Sequence, residues 1–111
     1  MQQSQDEANP PEEDESVAPE KFVLDPLESE RNVKIGDFYW HKGDYIGAKN
    51  RYERATKFNP NSAEAFLKLG KAEEKLHNPE AAKAALQKAL QLAPKDSKIA
   101  REAKKELAKT S

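Results

Sequence analysis

The sequence predicts an all-α protein: an α-solenoid of two helix-turn-helix hairpins and a C-terminal capping helix, preceded by a disordered acidic arm. Three observations predict it. From residue 25 onward apolar residues recur at spacings of three and four, the period of one helix face, and no alternating strand pattern competes. Pro and Gly punctuate this stretch at Pro26, Gly43, Pro60, Pro79 and Pro94. The chain also matches itself when shifted by 34 residues, without a gap.

The arm comes first. Residues 1–24 hold Pro10, Pro11 and Pro19, many acids, and little to bury before Phe22-Val23-Leu24. Such a segment cannot offset an ordering entropy of about 1–2 kcal/mol per residue. The Phe22–Leu24 group is expected to act as a sticky linker or to pack on the first helix. The domain proper is placed at 25–111.

Asp25-Pro26 reads as a helix start, Asp as N-cap and Pro at the first helical position. Leu27, Val33, Ile35, Phe38 and Tyr39 carry the first helix to about Lys42, where Gly43 stops it. Asp44 caps the second, which carries Tyr45, Ala48, Tyr52, Ala55 and Phe58 and ends at Asn59-Pro60. Asn61 is expected to begin the third, with Glu64 at capping-box spacing and Phe66, Leu69, Gly70 and Leu76 along it. Asn78-Pro79 starts a fourth with Ala82, Leu86, Ala89, Leu90 and Leu92, closed before Pro94. Asp96 or Ser97 caps a fifth, over 97–109, with a narrow stripe of Ile99, Ala103 and Leu107.

Under the shift of 34, Ile35 meets Leu69, Gly36 meets Gly70, and Ala48 meets Ala82. Tyr52 meets Leu86, Ala55 meets Ala89, and Pro60 meets Pro94. A mid-helix Gly costs about 1 kcal/mol against Ala, so its repetition at one phase predicts close helix contact. This pattern resembles the tetratricopeptide repeat family, with one unit at 29–62 and another at 63–96. The sequence departs from that family's pattern at Asn32, where an aromatic is expected, and at Glu73, where Tyr is expected. The stretch Gly36–Tyr45, with Ala48 and Arg51-Tyr52, also resembles repeats of bacterial outer-membrane assembly lipoproteins. Those proteins carry a lipidated Cys, which is missing here, and usually about twice as many repeats.

The resemblance implies a concave groove lined by the first helix of each unit, taking a peptide or helix of another protein. By the family's geometry the groove residues are Val33, Asp37, Trp40 and His41, then Leu67, Lys71, Glu74 and Lys75, with Lys68 at the edge. Trp40 offers large rigid area and one N–H donor, the profile of a binding hot spot. Lys68, Lys71 and Lys75 fall on one helical stripe that would suit a carboxylate. The family's carboxylate clamp uses Lys and Asn where this chain has Val33 and Asp37, so that clamp is not supported.

Charge divides the chain. Residues 1–30 hold ten acids and one base, whereas residues 31–111 hold eighteen bases and ten acids. The last helix, with Lys98, Arg101, Lys104, Lys105 and Lys109, admits weak nucleic-acid binding, which Glu102 and Glu106 are expected to oppose. Catalysis is not expected. His41 and His77 occupy different phases of their units, no phosphate loop occurs, and no nucleophile adjoins a base. With no Cys there is no thiolate metal site, and no cofactor is expected. No apolar run reaches the ~18 residues of a membrane span. The N-terminus has no signal-peptide pattern, so the chain as it stands reads as cytoplasmic; a removed signal would place it in the periplasm. The bare outer face of the first helix admits self-association, or docking of Phe22–Leu24 onto it.

Overall fold

The structure, a computed structural model, describes residues 22–110. The arm expected over residues 1–24 therefore lies outside the described residues except for Phe22, Val23 and Leu24. Five helices follow in order: α1 (Pro26–His41), α2 (Tyr45–Phe58), α3 (Ala63–Lys75), α4 (Pro79–Leu92) and α5 (Lys98–Thr110). No strand occurs among the described residues.

Each start has a local cause. Asp25 accepts the Glu28 N–H at 3.0 Å, with Pro26 at the first helical position. Asp44 accepts the Gly47 N–H at 2.8 Å. The α3 cap is Ser62, one residue later than expected, accepting from Ala65 N at 3.1 Å. Asn61 instead donates its N–H to the Asn59 side chain, closing a turn before the helix. Ser97 caps α5 through Ala100 N, while Asp96 takes the left-handed backbone with φ 64°. Asn78 occupies the α4 cap position but makes no side-chain cap bond. Its amide donates to Glu73 at 2.8 Å instead.

The hairpins α1/α2 and α3/α4 are antiparallel pairs, and each helix packs on its neighbour in sequence, with α5 also reaching α3. One core cluster joins Val33, Ala48, Tyr52 and Ala55 to Ala65, Leu69 and Ala72, so it spans both hairpins. A second joins Leu67, Leu86 and Ala89 to Ala103 of α5, flanked by Phe66, Leu90, Ile99 and Leu107.

The two repeats have matching interiors. A Cβ added at Gly36 would meet the Tyr52 ring at 2.5 Å, and one at Gly70 would meet Leu86 at 2.6 Å. Gly is required at both for the same reason, the partner being the residue sixteen positions on. Gly43 and its counterpart His77 both adopt left-handed backbone, φ 79° and 62°, at the hairpin bends.

The two departures from the pattern are compensated. Asn32 is buried and accepts from Arg51 Nη1 at 3.2 Å, whereas the counterparts in the second repeat are Phe66 and Ala85. A buried polar pair thus replaces a large-and-small apolar pair. Glu73 is buried, pairs with Lys49 at 3.9 Å and accepts from Asn78.

Phe22 does not lie on the outer face of α1. Its ring meets Phe58 edge-on at 4.9 Å, with Arg54 over both rings, while Asp25 N donates to Phe58 O. The linker therefore closes the base of the first hairpin and leaves Val23 and Leu24 exposed.

Candidate partner-binding groove

α1 and α3 lie side by side and carry one turn each of a polar wall. Asp37 occupies its centre. Its carboxylate accepts from the Tyr52 hydroxyl and, at 2.8 and 3.0 Å, from Lys68. Burial, and then this hydrogen bond to Asp37, hold the Tyr52 hydroxyl well above its ordinary pKa, so it remains a donor. Trp40 lies one turn farther along α1, half-buried, with its ring edge-on to Tyr45 at 5.0 Å. The ring also packs against the core cluster that holds Val33 and Tyr52. Between them is a cavity of about 190 Å³ lined by Asp37, Trp40, His41, Tyr52, Lys68 and Lys71.

Five of the residues expected to line a groove are brought together there: Asp37, Trp40, His41, Lys68 and Lys71. Three are not. Val33 is 4 % exposed and Leu67 5 % exposed, each inside a core cluster. Val33 is covered where α1, α2 and α3 meet, and Leu67 is covered by α5. Their side chains are core. Lys75 stands outside the cavity, with its ammonium 5.6 Å from the Tyr45 ring. Tyr52 was not anticipated as a lining residue; at its position in the second helix it reads as core, and only its hydroxyl emerges.

The lysines do not form an open cationic stripe. Lys68 is held by Asp37 and, at 3.6 Å, by Glu64. Lys71 holds Glu102 of α5 at 2.6 Å, which keeps that carboxyl below its ordinary pKa. Beyond Lys71, Glu74 faces Glu106 across the α3–α5 seam. Burial, and then Glu106, push the Glu74 carboxyl up to about 7. Glu106 is itself buried, with Lys109 at 3.4 Å. No group of three or more metal-ligating side chains occurs among the described residues, and no described helix is long and apolar enough to cross a membrane.

A TPR repeat model matches residues 36–76, and a tetratricopeptide repeat model matches residues 63–96. The chain belongs to the tetratricopeptide repeat family. The two matches overlap at residues 63–76 and together run from Gly36 in α1 past the end of α4. The tetratricopeptide architecture makes this chain a protein–protein interaction module. The buried polar residues Asn32, Arg51 and Glu73 do not line the cavity. No curated protein matches the chain.

Proposed function

We propose that the face shared by α1 and α3 binds a segment of a partner protein, with Trp40 as its principal contact. The observation that carries this is the cavity of about 190 Å³ beside a half-buried Trp. Its ionic groups are already satisfied: Lys68 by Asp37 and Lys71 by Glu102. A partner carboxylate would have to displace one of those pairs. An apolar or aromatic side chain entering beside Trp40 requires no such exchange and removes ring area from water. The partner segment therefore carries an apolar anchor, with polar groups over the Asp37–Lys68 rim.

Affinity capture with the full chain, followed by titration of each captured protein, tests this. Trp40→Ala should weaken binding at least ~10-fold, the scale of a hot-spot residue. Lys71→Glu should weaken it by a smaller factor. Equal binding by both variants and the unaltered chain refutes the site.

A second reading rests on α5. Glu102 pairs inward with Lys71 and Glu106 is buried, so neither interrupts the outer face as expected from sequence. Lys98, Arg101, Lys104, Lys105 and Lys109 are all exposed. Such a face attracts phosphate polyanions in a salt-dependent way. Retention on heparin at low salt that falls for Lys104→Glu/Lys105→Glu supports it; absence of retention excludes it.

A further inference from the structure

The outer side of α5 carries bases without acids between them. Lys98, Arg101, Lys105 and Ala108 follow one another at spacings of three and four, with Lys104 and Lys109 flanking them, so five bases share one helix face. All five are exposed. Lys98, Arg101, Lys104 and Lys105 form no ion pair among the described residues, and Lys109 reaches Glu106 at 3.4 Å. The two acids of the helix turn the other way: Glu102 to Lys71, and Glu106 into the α3–α5 seam. Asp96 stands in the loop before the helix, where its backbone oxygen accepts from the Arg101 guanidinium.

The complement to this face lies in the same chain. Residues 6–15 hold Asp6, Glu7, Glu12, Glu13, Asp14 and Glu15 and no base. We propose that this acidic segment lies along the outer face of α5 of its own chain. Reach permits it. Extended chain carries residue 15 up to ~23 Å from Phe22 and residue 6 up to ~53 Å. The described body is 48 Å in its longest dimension. Direction permits it as well. Phe22 lies against Phe58, at the end of the molecule where α1 begins. Lys71 meets Glu102 and Glu74 meets Glu106, so α3 and α5 run the same way. Since α1 and α3 are equivalent helices of stacked repeats, α5 also begins at the end where the acidic segment joins the body.

Charge selects this face over nearer ones. On α1, Glu28 and Glu30 stand among Arg31 and Lys34, with Arg31 3.9 Å from Glu28. On α2, Glu53 precedes Lys57 by one turn. A polyacid placed there meets like charge as well as opposite. A single exposed ion pair contributes little, so the contact depends on several at once. The tether raises the effective concentration of the segment to the order of mM. The contact is independent of the α1–α3 groove, and a polyanion reaching α5 has to displace it.

Paramagnetic relaxation in the full chain tests this. The sequence has no Cys, so Ser16→Cys takes a single nitroxide label. At ~0.01 M salt the amide signals of Arg101, Lys104 and Lys105 should be attenuated several-fold relative to the reduced, diamagnetic label. At ~1 M salt, where the screening length is about 3 Å, they should recover. Lys104→Glu/Lys105→Glu should relieve most of the attenuation, with the amide shifts of the other helices unchanged. So should Glu12→Gln/Glu13→Gln/Asp14→Asn/Glu15→Gln. Attenuation centred instead on Arg31, Ile35 and Phe38 overturns the proposal and places the segment on α1. Absence of attenuation at α5, or attenuation that survives ~1 M salt, overturns it as well. In a mixture of isotope-labelled chains without nitroxide and nitroxide-bearing chains without isotope, the α5 signals should keep their intensity. Their loss there shows segments exchanged between copies, and overturns the contact within one chain.

Discussion

Asn32 and Arg51 show how one repeat tolerates what the other does not contain. A guanidinium inside a small helical core is costly unless its donors are met, and Asn32 supplies one acceptor at 3.2 Å while its own amide donates to Glu28 O. Ser29 adds a further buried link, donating to Ala55 O at 2.8 Å. Asn32→Ala should destabilise the chain by ~1–3 kcal/mol in chemical denaturation, because a buried polar partner is lost. The pair Phe66 and Ala85 is the second repeat's solution at the same positions. Asn32→Phe and Arg51→Ala should each destabilise alone, by overpacking and by a cavity. The double variant should be more stable than the sum of the two predicts, by ~1 kcal/mol or more in a double-mutant cycle.

At the scale of elements, the bends and the capping helix differ in how firmly they are set. His77 holds a left-handed backbone that its counterpart Gly43 adopts without a Cβ penalty. His77→Gly should therefore raise stability by ~0.5–1 kcal/mol, read from the denaturation midpoint. The α3–α5 seam responds to pH in two directions. The Glu74 carboxyl is raised to about 7 in the folded chain, so unfolding releases its proton. Its protonated form contributes fully at low pH. Stability from this group then falls as pH rises from its ordinary pKa to about 7, and is flat above that. Glu102 is lowered by Lys71, so its contribution is present above its ordinary pKa and is lost as the medium is acidified below it. Glu74→Gln should leave stability near pH 4 almost unchanged and raise it at pH 8. Thermal melts at the two pH values check this; an equal shift at both would contradict it.

The whole molecule is a short stack in which the first hairpin shares its core cluster with the second, while the second also packs a cluster against α5. Val33, Tyr52, Leu69 and Ala72 belong to one cluster across both hairpins, so the repeats should unfold together. Trp40, the chain's sole Trp, reports the first hairpin, and far-ultraviolet circular dichroism reports all five helices. The two urea transitions should coincide, and should remain coincident in Leu69→Ala, shifted by ~2–4 kcal/mol. The ends are unlike. The C-terminal end carries a helix whose apolar stripe faces inward and whose outer face is charged, whereas the N-terminal end presents Leu27 and Phe38 to solvent.

The sequence by itself determined the helices, the repeat and its phase. Those follow from local rules: apolar spacing at the helical period, caps with Asp25 and Asp44, Pro and Gly at the bends, and a mid-helix Gly at one phase. The family resemblance added Asp37, Trp40, His41, Lys68 and Lys71 as expected groove residues, and these five line the cavity. Only the tertiary structure decided that Val33 and Leu67 are core, since the third and fifth helices cover faces that one helix alone would leave open. It also decided that Lys68 and Lys71 are already paired, Lys68 with Asp37 and Lys71 with Glu102, each thirty-one positions away. Ion pairing at that separation depends on how rods stack, and no periodicity within a single helix encodes it.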